Sequence, residues 1–224
     1  MNSIMTRVLI LALAAVAAHA QPANLQANMQ EIANSLGVSC GYCHTAERGS
    51  GQPEPKKDIA RQMMAMTREL NTRVQTATGK AAGAATQVTC LTCHRGVTIP
   101  KQLSEIMTQT IREKGAAAAI EQYRDLQKQF YGRQSYDFGE DTLLSIGQTL
   151  SNSKPDDAIA LLKLNLEYNP QSARSYAAIA FAYTRKLDDA TAITYLEKSL
   201  EIEPNNGVVQ GQLAQLKSYQ RNRK

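Results

Sequence analysis

Apolar residues recur at helical spacing over much of the chain. Between residues 24 and 37 an apolar side chain returns every three or four positions, and Gly37 closes the run, which predicts a helix that ends there. The same spacing over 57–75 predicts a second helix, and patterns over 104–114 and 116–131 predict two more. No βαβ strand pattern is visible, so the sequence predicts an all-α fold.

The C-terminal part of the chain repeats itself. Pro170 and Pro204 lie thirty-four residues apart in similar contexts, and this is the period of the tetratricopeptide repeat. Registering the repeat on Pro204 predicts where the paired helices pack in the second copy (Tyr176, Ile179, Ala180, Tyr183, Ala192, Leu196) and in the first (Leu143, Ile146, Gly147, Leu150, Ala158, Leu162). Residues 207–224 predict a capping helix. Because two repeats are few for independent stability, the helices between 104 and 131 are expected to pack against them.

The first twenty residues have the pattern of a secretory signal peptide. One basic residue, Arg7, precedes an apolar run that is too short to span a membrane, and an A-x-A site ends at Ala20. We expect cleavage after Ala20, with an uncleaved anchor as the alternative. No cysteine follows the site to carry a lipid, so the mature protein is expected to be soluble and periplasmic.

These changes of pattern divide the chain into four predicted segments. They are a signal peptide at 1–20, a small domain at 21–103, a helical connector at 104–136, and the repeats with their capping helix at 137–224. The composition, 43% apolar and 20% charged with no tryptophan, is typical of a folded soluble protein whose helices pack through small side chains.

Positive charge is concentrated in the small domain. Residues 21–103 hold nine Lys or Arg against five Asp or Glu, whereas residues 104–224 hold fifteen of each. This excess is either an ordinary solvated surface or a means of steering an acidic partner. No aromatic platform or groove motif indicates nucleic-acid binding.

Two copies of one pattern, CGYCH at 40–44 and CLTCH at 90–94, indicate the chemistry of the small domain. They use all four cysteines and both histidines of the predicted mature chain: Cys40, Cys43, His44, Cys90, Cys93 and His94. C-x-x-C-H is the attachment sequence of c-type haem, in which the thiols bond covalently to the porphyrin and the histidine ligates iron. The sequence therefore predicts two covalently attached haem c groups.

Three other interpretations of the cysteines are weaker. A thioredoxin-like redox pair would accompany a βαβ pattern, which is absent from the sequence. A zinc ribbon fits the spacing less well, and an exported chain with paired histidines does not favour it. Two structural disulfides would leave unexplained why each remaining histidine directly follows the second cysteine of a pair.

The second axial ligand of each iron can be narrowed by elimination. Once His44 and His94 are used, no histidine of the mature chain remains, which leaves a methionine thioether as the usual choice. Met29 lies alone on the apolar face of the helix before the first motif. For the second haem, Met63 and Met66 share one helix face, and periodicity leaves both open; a methionine stripe is also common in plain core packing.

Three stretches, LGVSCGYCH, ARQMMAMTRELN and VTCLTCHRGVTIP, resemble the tetrahaem cytochrome c subunit of photosynthetic reaction centres. The resemblance covers residues 25–100. It implies an axial methionine on the helix before each motif, which falls on Met29 and Met63 and leaves Met66 as a packing residue. The chain has two attachment motifs where that family has four haems, and the loop after its second helix lacks the histidine that the family places there.

The sequence therefore predicts a dihaem c-type cytochrome domain followed by a tetratricopeptide array. We expect an electron carrier and not an enzyme, one that exchanges single electrons with acidic or membrane-bound redox partners and docks proteins through its repeats. A haem enzyme or sensor with a displaceable axial ligand is an alternative function. A repeat-based scaffold with structural haems is another.

Overall fold

A computed structural model describes residues 25–45 and 50–222 of the chain. All regular structure in these residues is helical, which confirms the predicted all-α class. None of the described helices combines the length and apolarity needed to cross a membrane. The predicted signal peptide, residues 1–20, lies outside the described residues.

The helices follow the predicted order closely, with boundaries that differ by a few residues. The described residues contain a short 3-10 helix at Cys40–Tyr42 and the following α-helices: α1 (Leu25–Leu36), α2 (Pro55–Thr78), α3 (Cys90–His94), α4 (Leu103–Lys114), α5 (Ala116–Phe130), α6 (Glu140–Leu150), α7 (Pro155–Tyr168), α8 (Ala173–Arg185), α9 (Asp189–Ile202) and α10 (Gly207–Asn222).

The main core lies among α4, α5, α6 and α7. Met107 and Tyr123 are fully buried there, in one cluster with leucine and isoleucine side chains of α6 and α7. The helices between 104 and 131 thus pack against the segment predicted to hold the repeats, as expected. Met107 is enclosed in this core and serves packing.

Helices α6 to α10 pack in sequence, each against the next. Gly147 of α6 faces Leu162 of α7 so closely that a Cβ at Gly147 would lie 2.5 Å from Leu162 Cγ. Val209 and Leu216 of α10 are buried against α8 and α9, as expected of a terminal capping helix. Such neighbour-to-neighbour packing is what a repeat array requires, and the tetratricopeptide assignment remains a prediction.

The segment that carries the cysteine motifs has much less core. Among its described residues, Ala33, Ser35, Ala85 and Val97 are buried, and α2 has no buried residue. The apolar face of α2 is instead open, with Ile59 56% exposed. A helix of this length with no fully buried residue gains little from packing on protein, and another apolar surface beside it would add to its stability.

Candidate functional site

The first motif opens onto an apolar pocket between α1 and α2, which we call the first pocket. It offers about 1060 Å³, counted to its open mouth. Its lining includes the predicted cofactor-binding residues Met29, Cys40, Cys43 and His44. The wall of this pocket is therefore built from the segment 29–44 and from α2. It contains both His44 and Met29, the two residues predicted to ligate the iron of the first haem.

The second motif opens onto a smaller pocket, which we call the second pocket. It offers about 590 Å³ and is lined by Met63, Cys90 and His94, together with apolar residues of α1 and α2. Met66, the alternative that periodicity left open, lines neither pocket. The predicted residue Cys93 is exposed and lines a separate cleft toward the start of α4.

The two pockets share a wall. Five residues line both of them: Ile32, Leu36, Cys43, Ala60 and Met64. Four of these are apolar, and they come from α1 and α2, so the two pockets are separated by little more than one layer of side chains. Groups bound in the two pockets would therefore lie close together.

Local hydrogen bonds set the shape of each motif. In the first, the amide of His44 donates to Cys40 O at 3.0 Å and closes one turn around the cysteine pair. In the second, Thr89 and Thr92 cap the start of α3 reciprocally, and the amide of Thr89 donates to Thr92 Oγ1 at 3.0 Å. Each turn holds its two thiols and its histidine on a short rigid segment.

The ring of His94 is oriented by a backbone carbonyl. Its Nδ1 lies 2.9 Å from Val97 O. Because a carbonyl can only accept, Nδ1 carries the proton and Nε2 is left as the lone-pair donor. A hydrogen bond of this kind fixes the tautomer and orientation of a metal-binding histidine.

Asn71 connects α2 by hydrogen bonds to the segment that leads into the second motif. Its amide donates to Val88 O at 2.9 Å and its carbonyl accepts from Val88 N at 2.7 Å. This pair of bonds fixes the distance between α2, which carries Met63, and Cys90, two residues after Val88. Asn71 belongs to the ARQMMAMTRELN stretch, but no pattern along the chain singles it out.

Two glycines bring the ends of α1 and α3 into backbone contact. Gly37 has φ +67°, and the amide of Gly96 donates to Ser35 O at 2.8 Å. A Cβ at Gly37 would lie 2.1 Å from Gly96 O, which no ordinary side chain can occupy. The two motif-bearing segments are held together at this point.

Burial affects one of the four thiols. The pKa of Cys90 is raised above its ordinary value, first because the thiol is partly removed from water and then because the carboxylate of Glu31 is nearby. Cys90 therefore stays protonated more readily than a free thiol and does not resemble the low-pKa nucleophiles of thiol enzymes.

The alternative uses of the cysteines find no support in the geometry. All four cysteines lie in the described residues and none is joined in a disulfide. In that same part of the chain, no cluster of three or more His, Cys, Asp or Glu side chains could hold a metal ion.

Residues 14–143, more than half of the chain, match the family described as the photosynthetic reaction centre cytochrome C subunit. The chain belongs to this family. The resemblance read from the motifs is thereby confirmed. The match to the reaction centre cytochrome family also extends beyond them, through α4 and α5 to the start of α6, where the sequence motifs had given no indication of it.

A photosynthetic reaction center cytochrome c subunit from Rubrivivax gelatinosus is 41% identical to this chain over 64 residues. That stretch is 29% of the chain and 16% of the relative. The similarity to this member of the cytochrome family thus concerns about one sixth of its length.

The residues of both pockets fit the haem of a c-type cytochrome. The first pocket joins Cys40, Cys43 and the adjacent His44 to an apolar lining and to the thioether of Met29. The second joins Cys90 and His94 to an apolar lining and to the thioether of Met63, while Cys93 lines the neighbouring cleft. A flat apolar group would also cover the open face of α2.

Sequence reasoning missed several residues of these walls. Met64 lines both pockets, and Lys56 and Tyr42 line the second. Tyr42 lies inside the first motif yet faces the second pocket, which a linear motif does not reveal. Lys57 and Arg61 line the first pocket. Their position in the first two turns of α2 is a sequence feature that could have suggested a place beside the first motif.

Proposed function

We propose that this protein is a periplasmic dihaem c-type cytochrome that carries single electrons between redox partners. The observation that carries the proposal is that each pocket combines a C-x-x-C-H histidine with a methionine of another segment, while the two pockets share one wall. Family membership supports the same function.

In this proposal Cys40 and Cys43 bind the first haem, and Cys90 and Cys93 bind the second. His44 with Met29, and His94 with Met63, are the axial ligand pairs. For Met63 the support is its place on the second pocket, which Met66 lacks. Val97 orients the ring of His94 through its carbonyl, and Asn71 holds α2 at a fixed distance from Cys90.

A haem with histidine and methionine ligands supplies reversible one-electron chemistry with little ligand rearrangement. The chain contributes the rest. It excludes water from the shared wall with Ile32, Leu36 and Met64, and it holds the two attachment turns together through the Gly37 and Gly96 contact. A short, dry, rigid separation favours exchange of an electron between the two pockets.

The helices after residue 136 would dock the redox partner as tetratricopeptide repeats. Their stepwise packing supports this. The whole of residues 104–224 is neutral beside a basic cytochrome domain, which is consistent with partner docking and charge steering being divided between the two parts. The predicted signal peptide supports the periplasmic location.

The first experiment is to express the full chain with an export pathway and a working haem-ligation apparatus. We expect two haems per chain by pyridine haemochrome and mass, with six-coordinate low-spin spectra. The pairs Cys40→Ala with Cys43→Ala, and Cys90→Ala with Cys93→Ala, should each remove one haem. A colourless product would contradict the proposal, and high-spin iron at rest would favour the enzyme or sensor instead.

Docking is tested separately with the haem-loaded full chain. Electron exchange with membranes that hold its redox partner should slow when an excess of residues 104–224 is added, because the fragment competes for the partner. An unrelated helical protein of similar size and charge is the control. An unchanged rate would contradict docking through the repeats and leave the carrier function standing.

A further inference from the structure

Among residues 25–45 and 50–222, Lys56 is the one lysine or arginine that lines the second pocket. The remaining lining consists of apolar side chains, thiols, thioethers, the hydroxyls of Tyr42 and Thr98, and His94. Among the described residues, no carboxylate lines the pocket. The Lys56 side chain is exposed, so its ammonium stays within reach of solvent at the edge of an otherwise apolar wall.

The Lys56 ammonium is held in position by Tyr42. Its Nζ lies 3.7 Å from the centroid of the Tyr42 ring, which is the geometry of a cation–π contact. Tyr42 is half-buried in the turn of the first motif, while Lys56 is the second residue of α2. The contact therefore places the charge at the rim of the second pocket and stops it from extending freely into solvent.

The two cations of the first pocket are neutralised by the chain itself. Lys57 forms an ion pair with Glu54, and Arg61 pairs with Asp58 at 2.5 Å. Lys56 differs from both, because no carboxylate of the described residues lies within ion-pair distance of its Nζ. Of these three cations of α2, the one that faces the second pocket is the one with no carboxylate partner in the described part of the chain.

We infer that Lys56 binds a carboxylate of the group held in the second pocket, namely a propionate of the second haem. The inference rests on the proposed function. A haem carries two propionate carboxylates, and one of them would be the negative partner of the Lys56 ammonium. No described residue of the pocket wall offers such a carboxylate. Tyr42 is the positioning residue, since it fixes the ammonium without consuming its hydrogen-bonding capacity.

This contact makes the two haems unequal. A carboxylate near iron stabilises the oxidised, more positive state, and pairing that carboxylate with an ammonium removes part of the effect. Lys56 therefore raises the reduction potential of the second haem. In the first pocket, Glu54 and Asp58 already offset the cations, so no equivalent increase is expected there.

The test uses the haem-loaded full chain and the variants Lys56→Gln and Lys56→Arg. Lys56→Gln should lower the potential of one haem in a redox titration. It should also shift the propionate bands in redox-difference infrared spectra of protein grown with ¹³C-carboxyl-labelled haem precursor. Lys56→Arg should restore both signals. Arg68→Gln removes a charge from the same helix outside both pockets and is the matched control, expected to leave the bands unchanged.

Two single-haem chains assign the effect to its pocket. In the chain with Cys90→Ala and Cys93→Ala, which retains the first haem, Lys56→Gln should change neither potential nor bands. In the chain with Cys40→Ala and Cys43→Ala, it should change both. Bands that stay in place in Lys56→Gln, or that respond only in the first-haem chain, would overturn the inference.

The haem count separates this failure from failure of the proposed function. Two low-spin haems with unmoved propionate bands would overturn the inference about Lys56 alone. A chain without haem would overturn the proposed function together with the inference. Since Lys56 is exposed and packs on one ring, its variants are expected to fold, and helical circular dichroism with the haem count checks this directly.

Discussion

Met63 and Met66 lie one turn apart on α2 and are similarly exposed, at 39% and 46%, but they face different surroundings. Met63 lines the second pocket with Cys90 and His94, whereas Met66 lines neither pocket. Helical periodicity puts both on one face, so the distinction depends on what lies opposite each side chain.

Met63→Ala is expected to convert one haem to a high-spin form and to lower its reduction potential, because the thioether that favours the reduced iron is lost. The matched control, Met66→Ala, should leave the spectrum of both haems unchanged. Absorption spectra and a redox titration of the two variants check this. A changed spectrum in Met66→Ala with an unchanged one in Met63→Ala would reverse the assignment.

Tyr123 gives the helical core a dependence on alkaline pH. Burial raises its pKa from 10.0 to about 12, so the folded protein keeps a proton that the unfolded chain loses. Its contribution is complete below pH 10 and is lost as the pH rises through about 12. The free energy of unfolding should fall by up to about 3 kcal/mol over this interval.

Denaturant unfolding followed by circular dichroism between pH 9 and 12 measures this fall. Tyr123→Phe should flatten it, because no proton remains to be released. Tyr131→Phe, which alters a largely exposed ring, is the control and should keep the slope of the parent. A Tyr123→Phe protein that still loses stability as steeply as the parent would show that another group is responsible.

Among the structural elements, the junction of α1 and α3 has the tightest requirement. Gly37 ends α1 with a left-handed backbone and lets Gly96 approach it, and the amide of Val38 donates to Ala33 O at 3.0 Å. Gly79 ends α2 with a similar φ of +63°, but nothing lies within 4 Å of where its Cβ would be. The two glycines share a conformation and differ in their neighbours.

Gly79→Ala should therefore lower the free energy of unfolding by about 1 kcal/mol, the conformational penalty alone. Gly37→Ala should lower it by about 3 kcal/mol or more, since the backbone of Gly96 must move as well. Denaturant titrations of the two haem-loaded proteins measure the difference. Equal losses would mean that the contact between α1 and α3 is not maintained in solution.

Across the whole molecule, the two parts of the chain depend on different sources of stability. The buried clusters lie in α4 to α10, while α1 to α3 bury few side chains among the described residues. The parts are joined at Ser135, whose hydroxyl donates to Arg95 O. The C-terminal helices have a protein core of their own, whereas under the proposed function the motif-bearing segment would be completed by haem.

A full chain in which Cys40, Cys43, Cys90 and Cys93 are all replaced by Ala should show this difference. Amide exchange should be fast in α2 and remain slow in α4 to α9, because covalent haem no longer completes the first core and the second core is untouched. Hydrogen exchange read by mass spectrometry, compared with the haem-loaded parent, measures it. Retained protection in α2 would show that this helix is stable without haem.

Much of the fold was predictable from local pattern. Periodicity located α1, α2, α4 and α5 to within a few residues, since an amphipathic helix repeats its apolar positions in sequence. The short α3 was less predictable, because its five residues span little more than one turn and are too few for an apolar pattern to repeat. That α4 shares a buried core with α6 and α7 could be learned only from the structure, because these helices are far apart in the chain.

The sequence by itself determined the all-α class, the family and the two motifs, because helical periodicity and C-x-x-C-H chemistry are local properties of consecutive residues. Only the tertiary structure brought Tyr42 of the first motif to the second pocket, separated Met63 from Met66, and placed Lys56 beside that pocket with no carboxylate partner among the described residues. Those relations depend on how α1, α2 and α3 approach one another. Backbone contacts such as Gly37 with Gly96 decide that approach, and no spacing along the chain encodes their distance.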